Sequence, residues 1–262
     1  MKKVCLILGI IFAVLLVIFG VVGYGLYKGY KVRSYATSVK SIMSSSEQAW
    51  SWQKLNQSSS DSLEATQNEV KAVKSDCETQ LSKLNGLHAP NKDKNLESKT
   101  KEYFTIGKKA ADNATAILDY AAALQTSSES LNSLGNLTGS TDPVAGLTAL
   151  HTQLSTSIKQ LKAINPPAAY SDFNKAYIGA LEKLDNAVVK GIEFAKAGQI
   201  DQLATLAADF AVVSAEMERL TAPNESKALE SIISNDDKAK LENYPAEINT
   251  EADSLSKTVF SF

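Results

Sequence analysis

The sequence predicts an all-α protein in which an N-terminal transmembrane helix is followed by an antiparallel helical bundle. Apolar residues recur every three or four positions along most of the chain, the spacing of one helix face, and strand-like alternation is nearly absent. One long uncharged stretch stands near the N-terminus. The 262 residues can bury a core without disulfides or metal ions. We expect a basic tip and transmembrane anchor at 1–33, a juxtamembrane helix at 34–61 and an extracytoplasmic bundle at 62–262.

The predicted anchor is the uncharged stretch at residues 4–27, VCLILGIIFAVLLVIFGVVGYGLY. At about 1.5 Å of rise per residue, it exceeds a hydrocarbon core of about 30 Å. A cleaved signal peptide is the alternative, but such peptides usually have an apolar run of about 7–15 residues before an Ala-x-Ala-like site. The candidate sites after Gly25 and Ala36 fit that pattern poorly. We therefore expect an uncleaved anchor, with an outer aromatic belt of Tyr24, Tyr27 and Tyr30.

The orientation of the anchor is not decided by its flanking charges. Two lysines precede the stretch, and Lys28, Lys31 and Arg33 follow it, so the positive-inside count is nearly balanced. A short basic N-terminus ahead of an apolar run is typical of an export signal. The remainder is rich in Ser, Thr, Asn and Gln and poor in Arg, as in exported proteins. We therefore expect the bundle outside the cytoplasmic membrane, and the Gly25-to-Gly29 spacing is compatible with either a helix-pairing face or chance.

The charge distribution disfavours nucleic acid as a partner. The net charge is −2, but the first 33 residues hold five basic residues and no acid, which leaves −7 for the rest of the chain. An acidic bundle is poorly suited to nucleic acid or to lying on anionic lipid. We expect no disulfide, because Cys5 lies in the apolar stretch and Cys77 lies on a helical stripe, where it is expected to be a core residue.

Two helical hairpins are predicted, at about 62–125 and 143–197. The apolar stripe on the first helix of the first hairpin is Val70, Val73, Cys77, Leu81, Leu84 and Leu87. The stripe on the first helix of the second hairpin is Leu147, Leu150, Leu154, Ile158, Leu161 and Ile164. Pro143 suits the first position of a helix, and Gly198 suits the residue after a helix end.

A shift of 77 residues superposes the two stripes, from Val70 on Leu147 to Leu87 on Ile164, and also superposes Pro90 on Pro167. This coincidence favours two duplicated hairpins. The alternative is that any two amphipathic hairpins can be aligned by a suitable shift. Two repeats do not make a solenoid, so a bundle is the simpler packing.

Further helices are expected on both sides of the hairpins. The pattern predicts a helix over 200–220, a more polar helix over 226–244 that Pro245 breaks, and a short helix or tail over 246–262. Another helix is expected to run on from the anchor and to break near the serines at 58–60.

The sequence carries no recognisable catalytic, cofactor or metal motif. His88 and His151 have no second ligand at helical spacing, so we expect no metal site. Phosphate-binding glycine loops and nucleophile elbows are absent, so we expect no cofactor and no enzyme. The acids on the helices, Asp185, Glu193, Asp201 and Asp209, are explained as solvated helix faces.

Aromatic residues are the candidate ligand or partner surface: Trp50, Trp52, Tyr170, Phe173 and Tyr177. A cleft lined by rings is one interpretation. The other is that rings at helical spacing belong to the core.

The hairpins with their L-x-x-L/I-x-x-Pro pattern, behind an N-terminal anchor, resemble bacterial surface-anchored helical-bundle proteins and lipoproteins of uncharacterised function. The resemblance covers about Val70 to Phe194 and implies a fold and a location, without active residues. We expect a non-enzymatic, membrane-anchored cell-envelope protein that acts as a binding or scaffolding module and has a protein partner in the envelope. The alternative is a sensory or ligand-binding ectodomain that works through a partner protein, since no second apolar run of about 18 residues leads back to a signalling module. An enzyme with an unrecognised site is the third hypothesis.

Overall fold

The computed structural model describes residues 2–49, 62–132, 142–222 and 225–260, and these ranges contain eight α-helices and no strand. The all-α prediction is therefore confirmed. Side chains are described for these ranges except at 2–20, 47–49, 129–132, 200, 203–205, 225–226 and 228–229. The helices are α1 (Lys2–Ala49), α2 (Leu63–Gly86), α3 (Lys94–Asn132), α4 (Pro143–Ala163), α5 (Ser171–Lys196), α6 (Ile200–Arg219), α7 (Glu225–Ile232) and α8 (Asn235–Ser256). Short 3-10 turns at Asn91–Asp93 and Ala168–Tyr170 precede α3 and α5.

Helix α1 is continuous, so the predicted extension beyond the apolar stretch is confirmed as far as Ala49. The expected break near residues 58–60 lies outside the described residues. Within the part of the chain that is described, no helix is both long and apolar enough to cross a membrane. Most of the predicted anchor, residues 4–20, falls where side chains are not described.

The chain folds into two compact units. Unit 1 comprises Met1–Ser59, Asn68–Ala111 and Asn235–Phe262, and unit 2 comprises Ser60–Gln67 and Asp112–Ser234. Helices α2 and α3 therefore contribute residues to both units. Unit 1 depends on segments that are far apart in the sequence, which a linear division of the chain does not reveal.

The core of unit 1 is built around α1, which packs along α8. One face of α1 repeats apolar residues at helical spacing and is buried: Val32, Tyr35, Ala36, Val39, Ile42 and Met43. Cys77 on α2 is also buried and free, which confirms it as a core residue. Burial is the main reason that the pKa of its thiol is raised to about 12.

Polar contacts pair α3 with α8 in antiparallel order within unit 1. The hydrogen-bonded and ion-paired partners are Asn95 with Glu251, Lys99 with Glu247, Glu102 with Lys240 and Tyr244, and Lys109 with Asp237. Exposed pairs of this kind are each worth only about 0–1 kcal/mol. Their regular order nonetheless fixes the register of α8 against α3.

The prediction that Pro245 breaks a helix is wrong. Pro245 lies inside α8, and the break falls earlier, between α7 and α8. A proline inside a helix costs about 3 kcal/mol because it removes one hydrogen bond and crowds the preceding turn. The buried residues Leu241, Ile248 and Ala252 lie on both sides of Pro245, and their packing offsets that cost.

The core of unit 2 is formed by α4, α5 and α6 with the end of α3. Its buried residues are Tyr120, Ala123, Leu150, Leu154, Ile158, Leu161, Ala180, Leu181, Leu184, Val188 and Val213. Helix α4 begins as predicted, with Pro143 in its first turn and the Asp142 side chain accepting a hydrogen bond from the Ala145 amide. Gly198 follows α5 with φ of 69°, a left-handed conformation that ends the helix as predicted.

Candidate functional site

The aromatic residues predicted on α5 and in the turn before it lie together in unit 2. Tyr170, Phe173 and Tyr177 are partly buried and pack against the unit 2 core. The rings of Phe173 and Tyr177 stack with centroids 5.8 Å apart. Tyr170 meets Tyr120 of α3 edge to face at 5.5 Å. The other two predicted residues, Trp50 and Trp52, lie outside the described residues.

Tyr120 was not among the predicted residues, although it is the most buried ring of this cluster, at 1% exposed. Its position three residues after Ile117 and four before Leu124 is the helical spacing that could have identified it. Its hydroxyl has no hydrogen-bond partner among the described residues. Burial is the main reason that the pKa of this hydroxyl is raised to about 12, with Tyr177 and Tyr170 adding to the effect.

Polar atoms near the same rings give the cluster a mixed character. The Tyr177 hydroxyl lies 3.2 Å from the Ser127 hydroxyl. On α5, the side-chain amide oxygen of Asn174, three residues before Tyr177, is buried and lacks a partner in the described part of the chain. The Tyr120 hydroxyl and the Asn174 side-chain oxygen leave hydrogen-bonding capacity unused, and an unpaired buried polar atom costs about 1–3 kcal/mol of stability. Rings next to unused polar atoms suit a flat, partly polar ligand, and they also serve as core packing.

A histidine, a serine and an aspartate meet on the surface of α4 and α5. His151 Nδ1 lies 2.7 Å from Asp185 Oδ1, and the Ser155 hydroxyl lies 3.5 Å from the same nitrogen and 3.4 Å from Asp185 Oδ2. A general base needs the carboxylate on one ring nitrogen and the nucleophile on the other. Here both neighbours lie at one nitrogen, so this geometry does not activate Ser155 as a nucleophile.

The His151–Asp185 contact joins two helices, which is why sequence spacing did not reveal it. It borders an open groove of about 480 Å³ whose wall carries both signs of charge, from Lys159, Lys162 and Glu182. Asp185 is therefore more than a solvated acid on a helix face, because it also pairs with His151 on the neighbouring helix. Among the described residues, no group of three His, Cys, Asp or Glu side chains lies close enough to hold a metal ion.

In unit 1, Asp93 lies in the turn before α3 and is fully buried. Neither of its carboxylate oxygens has a hydrogen-bond partner in the described ranges. Burial raises its pKa to about 6, and the nearby Glu251 adds to the rise. The buried Tyr35 hydroxyl also lacks a partner there, and burial raises its pKa, with Glu97 and Asp93 contributing. Asp93 belongs to a polar Pro-Asn-Lys-Asp segment that is typical of an exposed turn, so its burial was not predictable.

Three exposed tyrosines on α1, Tyr24, Tyr27 and Tyr30, each have a cation over the ring. We call these three residues the tyrosine belt. Their exposed fractions are 55% for Tyr24, 55% for Tyr27 and 60% for Tyr30. The cation-to-centroid distances are 4.5 Å for Lys28 over Tyr24, 4.7 Å for Lys31 over Tyr27 and 6.0 Å for Arg33 over Tyr30. The apolar side chains of Val21, Val22 and Leu26 are also exposed here.

Comparison with known proteins identifies a family. The model of the family described as uncharacterised protein MG280 matches residues 1–192, from α1 into α5. Because the match covers most of the chain, the chain belongs to this family. No curated protein and no solved structure matches the chain.

Proposed function

We propose that this chain is a non-enzymatic, membrane-anchored cell-envelope protein that acts as a binding or scaffolding module for a partner protein. The observation that carries the proposal is the course of α1. This helix is uninterrupted from Lys2 to Ala49, so the uncharged stretch at 4–27 and the buried stripe from Val32 to Met43 belong to one helix. An anchor joined to a bundle in this way holds the bundle close to the membrane.

The tyrosine belt supports an anchor at residues 4–27. Tyrosine rings and snorkelling cations are enriched where a membrane helix leaves the hydrocarbon core. The belt occupies the last turn of the uncharged stretch and the turns that follow, and exposed Val21, Val22 and Leu26 lie beside it. At about 1.5 Å per residue, the 24 residues before Lys28 extend over roughly 36 Å.

The anchor is tested by extraction of membranes with alkaline carbonate and by N-terminal sequencing of the mature chain. We expect the protein to stay in the membrane pellet and to keep its first residues. The variant Leu15→Lys/Leu16→Lys should move it to the soluble fraction, while the matched control Leu15→Ile/Leu16→Ile should not. A mature chain that begins at Leu26 or Thr37 would show cleavage and overturn the anchor.

The location of the bundle on the outer face is part of the proposal and is tested separately. The export-like N-terminus and the Arg-poor, Ser- and Thr-rich composition support it. Protease added to spheroplasts should digest the bundle. Survival of the bundle until the membrane is opened would place it in the cytoplasm, with the basic residues after the apolar stretch on the inner side.

We also propose that the two hairpins arose by duplication. The end of α2 at Gly86 and the end of α4 at Ala163 differ by 77 positions, as do the starts of α3 and α5 and both 3-10 turns. Pro90 and Pro167 precede these turns with similar backbone angles, φ/ψ of −59°/158° and −52°/146°. Burial also matches, since Leu84 and Leu161 are both fully buried. This agreement in helix ends and burial favours duplication over a chance alignment of apolar residues.

The second candidate function is a ligand-binding ectodomain that works through a partner, and the aromatic cluster of unit 2 favours it. Its unpaired Tyr120 hydroxyl and Asn174 oxygen are groups that a ligand would satisfy. Cross-linking in cells, followed by capture of the full chain, separates the two functions. A scaffolding module retains an envelope protein, whereas a ligand-binding domain retains a small molecule that native mass spectrometry detects and that Tyr177→Ala releases. The exposed substitution Thr152→Ala on α4 is the control and should retain it.

A further inference from the structure

A cleft of about 380 Å³ lies between α1 and the loop that precedes α3, entirely within unit 1. We call it the basal cleft. The side chains that matter for its chemistry are Tyr24, Tyr27, Lys28 and Lys31 from α1, and His88 and Lys92 from the loop. The cleft therefore includes part of the tyrosine belt.

The charge of the basal cleft is wholly positive. Three lysines line it and no acidic residue does, although the chain as a whole has a net charge of −2. Elsewhere in unit 1, lysines such as Lys99 and Lys240 are ion-paired. Across the described ranges, Lys28, Lys31 and Lys92 have no carboxylate partner. Unpaired ammonium groups that converge on one cleft favour an anion.

The tyrosine rings hold two of these cations in place. Lys28 and Lys31 each lie over the ring of the tyrosine four residues earlier, at 4.5 and 4.7 Å from the centroids. A ring face attracts an ammonium group but leaves its other N–H bonds free to donate. The arrangement therefore orients the lysines without neutralising them.

The position of the basal cleft along α1 identifies the source of the anion. Tyr24 and Tyr27 are at the end of the uncharged stretch, where the phosphate layer of a bilayer follows the hydrocarbon core. Exposed Val21 and Val22 precede the cleft on the same helix, exposed Leu26 lies between two of its tyrosines, and all three suit contact with acyl chains. A phospholipid whose phosphate lies in this cleft can place its acyl chains against these exposed apolar side chains.

We propose that the basal cleft binds the phosphate of an anionic phospholipid headgroup, with Lys28, Lys31 and Lys92 donating hydrogen bonds to its oxygens. The proposal rests on the membrane-anchored function given above. It gives the anchored protein a specific lipid contact on the bundle side of the anchor and makes the lipid composition of the membrane a determinant of how firmly unit 1 is held at the surface.

The test uses the full chain in non-ionic detergent and short-chain phosphatidylglycerol as the anionic probe. Short-chain phosphatidylcholine and inorganic phosphate are the comparison ligands, and binding is measured by titration and by lipid retention in native mass spectrometry. Loss of the charge-assisted hydrogen bonds from the lysines should weaken phosphatidylglycerol binding by about tenfold or more. The variant is Lys28→Gln/Lys31→Gln/Lys92→Gln. The matched control is Lys71→Gln/Lys175→Gln/Lys190→Gln, which removes the same charge from exposed positions elsewhere.

The proposal predicts tight binding of phosphatidylglycerol, weak binding of the other two ligands, loss in the triple variant and retention in the control. Equal binding by the triple variant would overturn the proposal, and so would equal binding of phosphatidylcholine. Equal binding of inorganic phosphate would also overturn it, because the cleft would then bind phosphate without selecting lipid. Circular dichroism of both triple variants checks that they are folded. Carbonate extraction of the wild-type chain tests the anchor independently, so failure of lipid binding in a chain that stays in the pellet refutes the cleft alone.

Discussion

The buried carboxyl group of Asp93 should make the protein less stable as the pH rises. Asp93 is fully buried without hydrogen-bond partners in the described residues, and burial raises its pKa from 3.8 to about 6. The folded protein therefore holds this proton more tightly than the unfolded chain does. The stability that protonated Asp93 contributes is fully present below about pH 4 and is lost as the pH rises from about 4 to 6.

The magnitude follows from the difference between the two pKa values. Each pKa unit corresponds to about 1.4 kcal/mol, so ionisation of Asp93 costs roughly 3 kcal/mol of folding free energy at pH 7. Asp93→Asn has nearly the same shape and cannot ionise. The free energy of unfolding of the variant, relative to wild type, should therefore rise by up to about 3 kcal/mol between pH 3.5 and pH 7.

Urea titrations of the full chain in non-ionic detergent, followed by circular dichroism at several pH values, measure this difference. Asp172→Asn, at an exposed position in the first turn of α5, is the control for the chemical change itself. A difference between Asp93→Asn and wild type that stays flat from pH 3.5 to 7 would refute the reasoning. It would mean that Asp93 is solvated or paired in the folded protein.

Four further substitutions test packing. Leu84→Ala and Leu161→Ala should each lower the free energy of unfolding by about 2–5 kcal/mol in urea titrations, because both leucines are fully buried. The two values should be similar if the hairpins are duplicates. One silent and one severe substitution would count against equivalent packing. Gly29→Ala should displace residues 257–260, because an added Cβ would overlap the Val259 carbonyl oxygen. Faster hydrogen exchange at these residues would report the displacement. Tyr120→Phe should leave stability unchanged or raise it by about 1 kcal/mol, because it removes an unpaired buried hydroxyl, and a loss of stability in thermal melts would reveal a hidden partner.

The helices of this protein were predictable from local signals. Stripe residues such as Val73 and Leu150 recur at helical spacing and are buried as that spacing implies. Pro143 and Gly198 mark helix ends through the backbone angles that they adopt, and these angles depend on the residue itself. The failure at Pro245 shows the limit of local rules, since tertiary packing on both sides of a proline offsets its local cost.

The contacts that define the candidate sites were not predictable, because they join elements that the sequence does not order in space. The Tyr120–Tyr170 contact spans 50 positions and the His151–Asp185 contact spans 34. The turn that carries Asp93 contacts α1, and Glu251 of α8 lies close enough to raise the Asp93 pKa, although both helices are far from it in sequence. Tyr170, Phe173 and Tyr177 lie together because residues three or four positions apart fall on neighbouring helical turns. Their role as a ligand or partner surface stays a prediction.

The packing of α1 along α8 has a consequence for the order in which the protein is completed during synthesis. Unit 1 needs α8, yet α8 leaves the ribosome only after residues 112–234 of unit 2. At about 5–20 residues per second, synthesis from the end of α1 at Ala49 to the end of α8 at Ser256 takes roughly 10–40 s. During this time the face of α1 from Val32 to Met43 is uncovered on the α8 side. Unit 2 draws on no segment beyond Ser234 and is free to fold first. The nascent chain therefore exposes an apolar helix face during this interval, and a chaperone or a membrane surface that shields it would raise the yield of folded protein.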